Sequence, residues 1–198
     1  MQISDVAEIR TGCVLARKEA NVGCASREYR ALNLKCIDPS GYIRREAIEP
    51  FHAQEKLESD VLTHIGDILV RLSYPYTAVL IAEQDLVGLL IPSHFAVVRA
   101  RQGEAVPEYL YWAIKRQKSL ITITQNSSGS TALGTISSGL IGSLTVARLP
   151  MEQQRCVGGL ARLMDREQEL LAKLAALKKI YHACLITETY NRLKRGNP

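Results

Sequence analysis

Arg148-Leu149-Pro150-Met151-Glu152-Gln153-Gln154 marks the joint of this chain. Proline is tolerated as a first helical residue, where its missing N–H is one of the unpaired donors anyway. Glu152 then falls in the first turn, where a carboxylate meets the positive end of the helix dipole. Beyond it Cys156, Leu160, Leu163, Glu167, Leu170, Leu174, Leu177, Tyr181 and Cys184 recur at alternating steps of four and three. All but Glu167 are apolar or aromatic, so the stretch reads as a coiled-coil a/d seam over about four heptads. A helix over 151–193 is about 65 Å long at ~1.5 Å per residue. A head of roughly 150 residues is too small to cover that length. A helix pair is therefore expected, in preference to a helix packed along its own head. Gly158-Gly159 lies early in the seam and costs roughly 1 kcal/mol per glycine relative to alanine. Either the helix bends there or two backbones approach closely.

Working back from the joint, the head at residues 1–149 reads as strand-rich α+β. Tyr29 to Cys36 places Leu32, Leu34 and Cys36 at period two, the mark of a half-buried strand. Pro39-Ser40-Gly41 and Gly66-Asp67 are turns. The second leads into the apolar strand Ile68-Leu69-Val70-Arg71. Ala78 to Ala82, Leu86 to Ile91, Phe95 to Arg99 and Leu144 to Ala147 are further expected strands. Val106 to Ile114 reads as a helix with Pro107 in its first turn. Asn126 to Thr131 is a polar loop.

With 46% hydrophobic and 23% charged residues, the composition suits one folded domain plus an appendage. No run of apolar residues is long enough to span a membrane. The start, Met1-Gln2-Ile3-Ser4-Asp5, lacks a basic stretch followed by an apolar core. A cytoplasmic location is expected. Cys13, Cys24, Cys36, Cys156 and Cys184 form no C-x-x-C pair, which favours reduced thiols. His52, His64, His94 and His182 stand at no metal-ligand spacing, so neither metal nor cofactor is expected. The net charge is +5, from 25 basic and 20 acidic residues. Residues 1–149 hold 16 and 15 of these, residues 150–198 hold 9 and 5. Such a balance is compatible with nucleic-acid binding without demanding it. A Walker loop, a G-x-S-x-G elbow, an H-E-x-x-H helix and a base-gripping Asn/Asp-Pro-Pro-aromatic motif are all missing. A non-catalytic protein is expected.

The order of features resembles the specificity (S) subunit of type I restriction-modification systems. The resemblance runs through Val6-Ala7-Glu8-Ile9-Arg10-Thr11-Gly12, Gly66-Asp67-Ile68-Leu69, Glu108-Tyr109-Leu110-Tyr111, Gly129-Ser130-Thr131 and Leu149-Pro150-Met151-Glu152-Gln153-Gln154. The family's usual second proline before the acidic-Gln segment is Leu149 here. The family carries two target-recognition domains, each followed by a long helix. This chain shows one of each and resembles half an S subunit.

The resemblance implies a target-recognition domain at 1–149 and a dimerisation and spacer helix at 150–198, pairing antiparallel in a coiled-coil-like manner. It implies double-stranded DNA, methyltransferase (M) and restriction (R) subunits, and a second copy as partners. Two identical heads would read an interrupted palindrome. Leu163, Leu170, Leu174, Leu177, Tyr181 and Cys184 are the expected dimer interface. Candidate DNA contacts are Asn126, Ser128, Gly129, Ser130 and Thr131, against a plain solvated loop. Arg71, Tyr74 and Tyr76 are candidates against a turn with packed tyrosines, and Arg44 and Arg45 against a solvated charge pair. Two other readings stay open: a coiled-coil adaptor without a DNA role, and a regulatory half-subunit that pairs with a different S protein.

Overall fold

The computed structural model describes residues 1–20, 27–39, 41–117 and 134–196. The chain divides into two compact units, Met1–Ala161 and Arg162–Pro198. Within the first, strands β1 (Ala7–Thr11), β7 (Phe95–Ala100), β4 (Ile68–Arg71) and β5 (Ala78–Leu80) form an antiparallel sheet in that order. A second sheet runs β3 (Glu49–Ala53), β2 (Arg27–Ala31), β6 (Leu89–Leu90). Helices α1 (Ile3–Val6), α2 (Pro107–Arg116) and α3 (Ser138–Ser143) complete this unit among the described residues. Helix α4, Met151–Arg195, starts in the first unit and runs through the second. The class is α+β, as expected: a strand-rich domain of two sheets with a long C-terminal helix.

The four-stranded sheet is covered on both faces, which explains its unbroken apolar strands. Ile68, Val70, Ala96 and Val98 join the core that includes Tyr109, Leu110 and Ile114 of α2, Ile3 and Val6 of α1, and Ile141 of α3. The alternate residues Leu69, Val79, Phe95 and Val97 join Leu32, Cys36, Ile43, Leu89 and Ile91 on the other face. A period of two thus feeds two cores from one strand.

The Gly66-Asp67 turn has a physical reason. Gly66 sits at φ +87°, a conformation that glycine adopts without a Cβ penalty. Asp67 is fully buried and grips Arg99 from the neighbouring strand with both oxygens, at 2.6 Å each. It also accepts the His64 N–H at 2.8 Å.

Three expected strands need correction. The one placed at Tyr29–Cys36 ends at Ala31, because Asn33 captures the backbone. Its Oδ1 accepts from Lys35 N at 2.8 Å and Cys36 N at 3.1 Å, building a 3-10 turn in place of a ladder. The Leu86–Ile91 run pairs only at Leu89–Leu90, after a 3-10 turn at Gln84–Leu86. Leu144–Ala147 makes a single bridge, Thr145 to Gln2, though Leu144 and Val146 are buried. Strands β1 and β3 and helices α1 and α3 had not been expected.

Candidate functional site

The start of α4 is fastened to α2. Gln154, 2% exposed, accepts the Val106 N–H at 2.9 Å and donates to the Leu149 carbonyl at 2.8 Å. Tyr109 donates to Ala147 O at 2.8 Å, and Gln117 to Thr145 O at 3.0 Å. Gly158 lies against the first turn of α2. A Cβ there would stand 2.7 Å from Glu108 Cβ and 2.8 Å from Tyr109 N. A Cβ on Gly159 would meet nothing within 4 Å. Of the two options for the glycine pair, close backbone approach is what the structure shows at Gly158. Gly158→Ala should therefore cost about 1–3 kcal/mol through overpacking. Gly159→Ala should gain up to ~1 kcal/mol from helix propensity. Urea titration followed by Trp112 fluorescence checks both, because the ring stacks on Tyr109 at 5.8 Å.

Loops gather at the opposite end of β4. The β4–β5 hairpin carries Arg71, Ser73, Tyr74 and Tyr76, and Arg71 Nε donates to Ser73 Oγ at 3.2 Å. Tyr74 is 52% exposed, whereas Tyr76 is 3% exposed and donates its hydroxyl to Gly134 O at 2.7 Å. Ile136 N reaches Leu72 O at 2.8 Å, so residues 134–136 are tied to this hairpin twice. Tyr76 is a brace beneath the edge, and Tyr74 is its outward face. Asn126, Ser128, Gly129, Ser130 and Thr131 lie outside the described residues.

Arg44 and Arg45 stand elsewhere, held by carboxylates. Arg44 pairs with the largely buried Asp38. Arg45 reaches Asp85 at 2.6 Å and Glu83 at 2.7 Å. The hydrogen bond that Arg45 donates holds the Asp85 carboxyl below its ordinary pKa, and donating to Asp38 raises Arg44. Little free positive charge remains at these two residues. Lys115 and Arg116 lie over the rings of Tyr111 and Trp112 at 5.6 and 5.5 Å.

Ser59, His64 and Asp67 resemble a nucleophile triad only in residue type. Ser59 Oγ is 2.8 Å from His64 Nε2. Arg99, which can only donate, occupies His64 Nδ1, so Nε2 must carry the proton and point it at Ser59. A general base needs the opposite tautomer.

In the second unit, the sequence-expected interface residues are all exposed. Leu163, Leu170, Leu174, Leu177 and Tyr181 range from 49% to 71%, and Cys184 is exposed with them. Met164, Leu171 and Leu185, also exposed, flank the seam and widen it. Exposed Ile186, Tyr190 and Leu193 form a separate patch, roughly 100–160° around the helix from Leu174 at 3.6 residues per turn. A strict heptad reading finds the seam and passes over both additions.

Among the described residues, no helix is long and apolar enough to cross a membrane, and no group of His, Cys, Asp and Glu could hold a metal ion. No protein-family model and no curated protein matches the chain. Solved structures do. A chain of a type I restriction-modification system, solved for its complex assembly and conformational transition, matches with TM-score 0.60 and 18% identity over 90% of this chain. The HsdS subunit from Thermoanaerobacter tengcongensis matches at 0.57 and 18% over 86%. The type I restriction-modification S subunit from M. genitalium matches at 0.57 and 16% over 91%. This chain spans 45%, 43% and 42% of their respective lengths. At such identities the likeness is one of fold.

Proposed function

We propose that the chain is a DNA-specificity subunit of a type I restriction-modification system, in half-subunit form. Residues 1–149 read one half-site, and residues 150–198 pair with a second copy and dock M subunits. The observation that carries this reading is the pairing of two features. The chain shares the fold of S-subunit structures along most of its length while spanning under half of theirs. Its long helix also leaves an apolar seam exposed.

A two-fold antiparallel pair buries that seam and supplies two heads and two helices. Identical heads read identical half-sites, so the target is an interrupted palindrome. A helix of about 65 Å matches roughly two turns of DNA at ~34 Å per turn. Linking two heads raises affinity without new contacts. Arg71 and Tyr74, with Asn126, Ser128, Gly129, Ser130 and Thr131, form the proposed contact edge. Tyr76 braces it, and Arg44 and Arg45 drop out because carboxylates hold them.

Co-expression with the M partner followed by genome-wide mapping of methylated adenine tests the proposal. The expected result is an interrupted palindrome. An asymmetric site would rule out the homodimer, and no dependence of methylation on this chain would rule out the specificity role.

One observation favours the adaptor reading: Arg44, Arg45 and Arg99 are each paired with a carboxylate, so their charge is not free to meet phosphate. A gel shift on random duplex at low salt separates the two. The specificity subunit binds and weakens steeply with added salt, and an adaptor does not bind at all.

A further inference from the structure

We propose that His94 is a specificity-determining residue of the hairpin edge, contacting a base edge beside Arg71 and Tyr74. This rests on reading the chain as a DNA-specificity subunit. His94 lies in a tight turn closed by Phe95 N to Pro92 O at 3.1 Å. Its carbonyl accepts the Leu72 N–H at 3.0 Å, which fixes it to the hairpin that bears Ser73 and Tyr74. On the other side Ser93 N donates to Cys13 O at 2.7 Å, and Gly12 N to Phe95 O at 2.9 Å. Pro92 and Phe95 are buried, and His94 is exposed. Arg71 stands directly opposite Phe95 in the β4–β7 register. The backbone thus holds an imidazole outward at the end of the sheet where Arg71 and Tyr74 lie. The ring makes no hydrogen bond, ion pair or ring contact among the described residues.

The chemistry differs from that of its neighbours. A guanidinium only donates, whereas an imidazole presents a donor and an acceptor nitrogen when neutral. Base pairs in the major groove are told apart by patterns of donors and acceptors. The pinned turn fixes the backbone from which the ring projects, so its two nitrogens reach only the positions that a few staggered rotamers allow.

The test is selection of duplexes from a randomised library by the full chain co-purified with its M partner, for wild type, His94→Ala and His94→Gln. The expected His94→Ala motif loses its preference at one base pair of each half-site. Affinity for the best wild-type duplex falls roughly 5- to 150-fold, the range of one base contact. Affinity for random duplex stays within about two-fold. His94→Gln, which keeps a donor and an acceptor, retains part of the preference. An unchanged His94→Ala motif overturns the proposal, even if affinity falls evenly on all sequences. A wild-type complex that selects no motif overturns the DNA reading itself.

Discussion

Leu174→Glu combined with Leu177→Glu should halve the particle mass in light scattering, leaving a monomer whose head still folds. Both leucines are exposed within one chain, at 49% and 65%. In a two-fold pair each substitution occurs twice, so four leucines leave the seam. Fully burying an exposed leucine is worth about 1.5–3 kcal/mol, so the four, with 49% or 65% of each left to bury, sum to roughly 3–7 kcal/mol before any charge repulsion is counted. A dimer of micromolar to nanomolar affinity is held by about 8–12 kcal/mol. Four carboxylates gathered in an apolar layer remove most of the remainder. Glutamate is nearly as good a helix former as leucine, so lost helicity would report lost pairing. Some loss is expected, because an unpartnered helix is marginal in water. Arg166 and Lys173 offset it in part by gripping Glu169 at 2.7 and 2.5 Å. Their hydrogen bonds, Lys173 first, hold the Glu169 carboxyl below its ordinary 4.5. That support is complete above pH ~4.5 and fades as the pH falls through the lowered value. A mass that stays dimeric would place the pairing on another face, with Ile186, Tyr190 and Leu193 the next candidates.

The seam was legible because a coiled-coil repeat is a local pattern: each apolar step is visible without knowing the fold. The joint was half legible. Pro150 announces a helix, but Gln154 reads as an ordinary surface residue. Its burial depends on Val106, 48 residues away, which no local pattern reveals. Strand β1 alternates Ala7, Ile9 and Thr11 with Glu8 and Arg10, and could have been found by period two. Strand β3 is masked by Pro50, which an edge strand tolerates. The site residues show the same limit. Tyr74 and Tyr76 looked alike in sequence, yet one is half exposed and the other is buried. Arg44 and Arg45 looked free because Asp38, Glu83 and Asp85 come to them only through folding.

Asp67→Ala should destabilise the head by about 3–5 kcal/mol, the usual penalty for stripping one partner from a buried ion pair. Domains of this kind have only ~5–15 kcal/mol in total, so the variant approaches unfolding at room temperature. Asp67 is completely buried and serves three donors: both arms of Arg99 and the His64 N–H. Without it, Arg99 keeps a partly buried guanidinium, and its ties to the more distant Glu8 and Asp60 cannot replace a bidentate grip. His64 then loses a backbone partner at the turn that launches β4. Arg99→Met alone should cost a similar amount, since it leaves a buried carboxylate unpaired. Asp67→Leu with Arg99→Met should recover most of either loss, because well-packed apolar side chains often replace a buried pair at little cost. The two losses are therefore strongly non-additive, with an interaction energy of about 1–3 kcal/mol or more. Urea titration of Asp67→Leu, Arg99→Met and their combination, with Asp67→Ala alongside and all read by Trp112 fluorescence, measures it. If Asp67→Ala costs less than ~1 kcal/mol, the pair behaves as a surface salt bridge. The Gly66-Asp67 turn would then owe its form to the glycine alone.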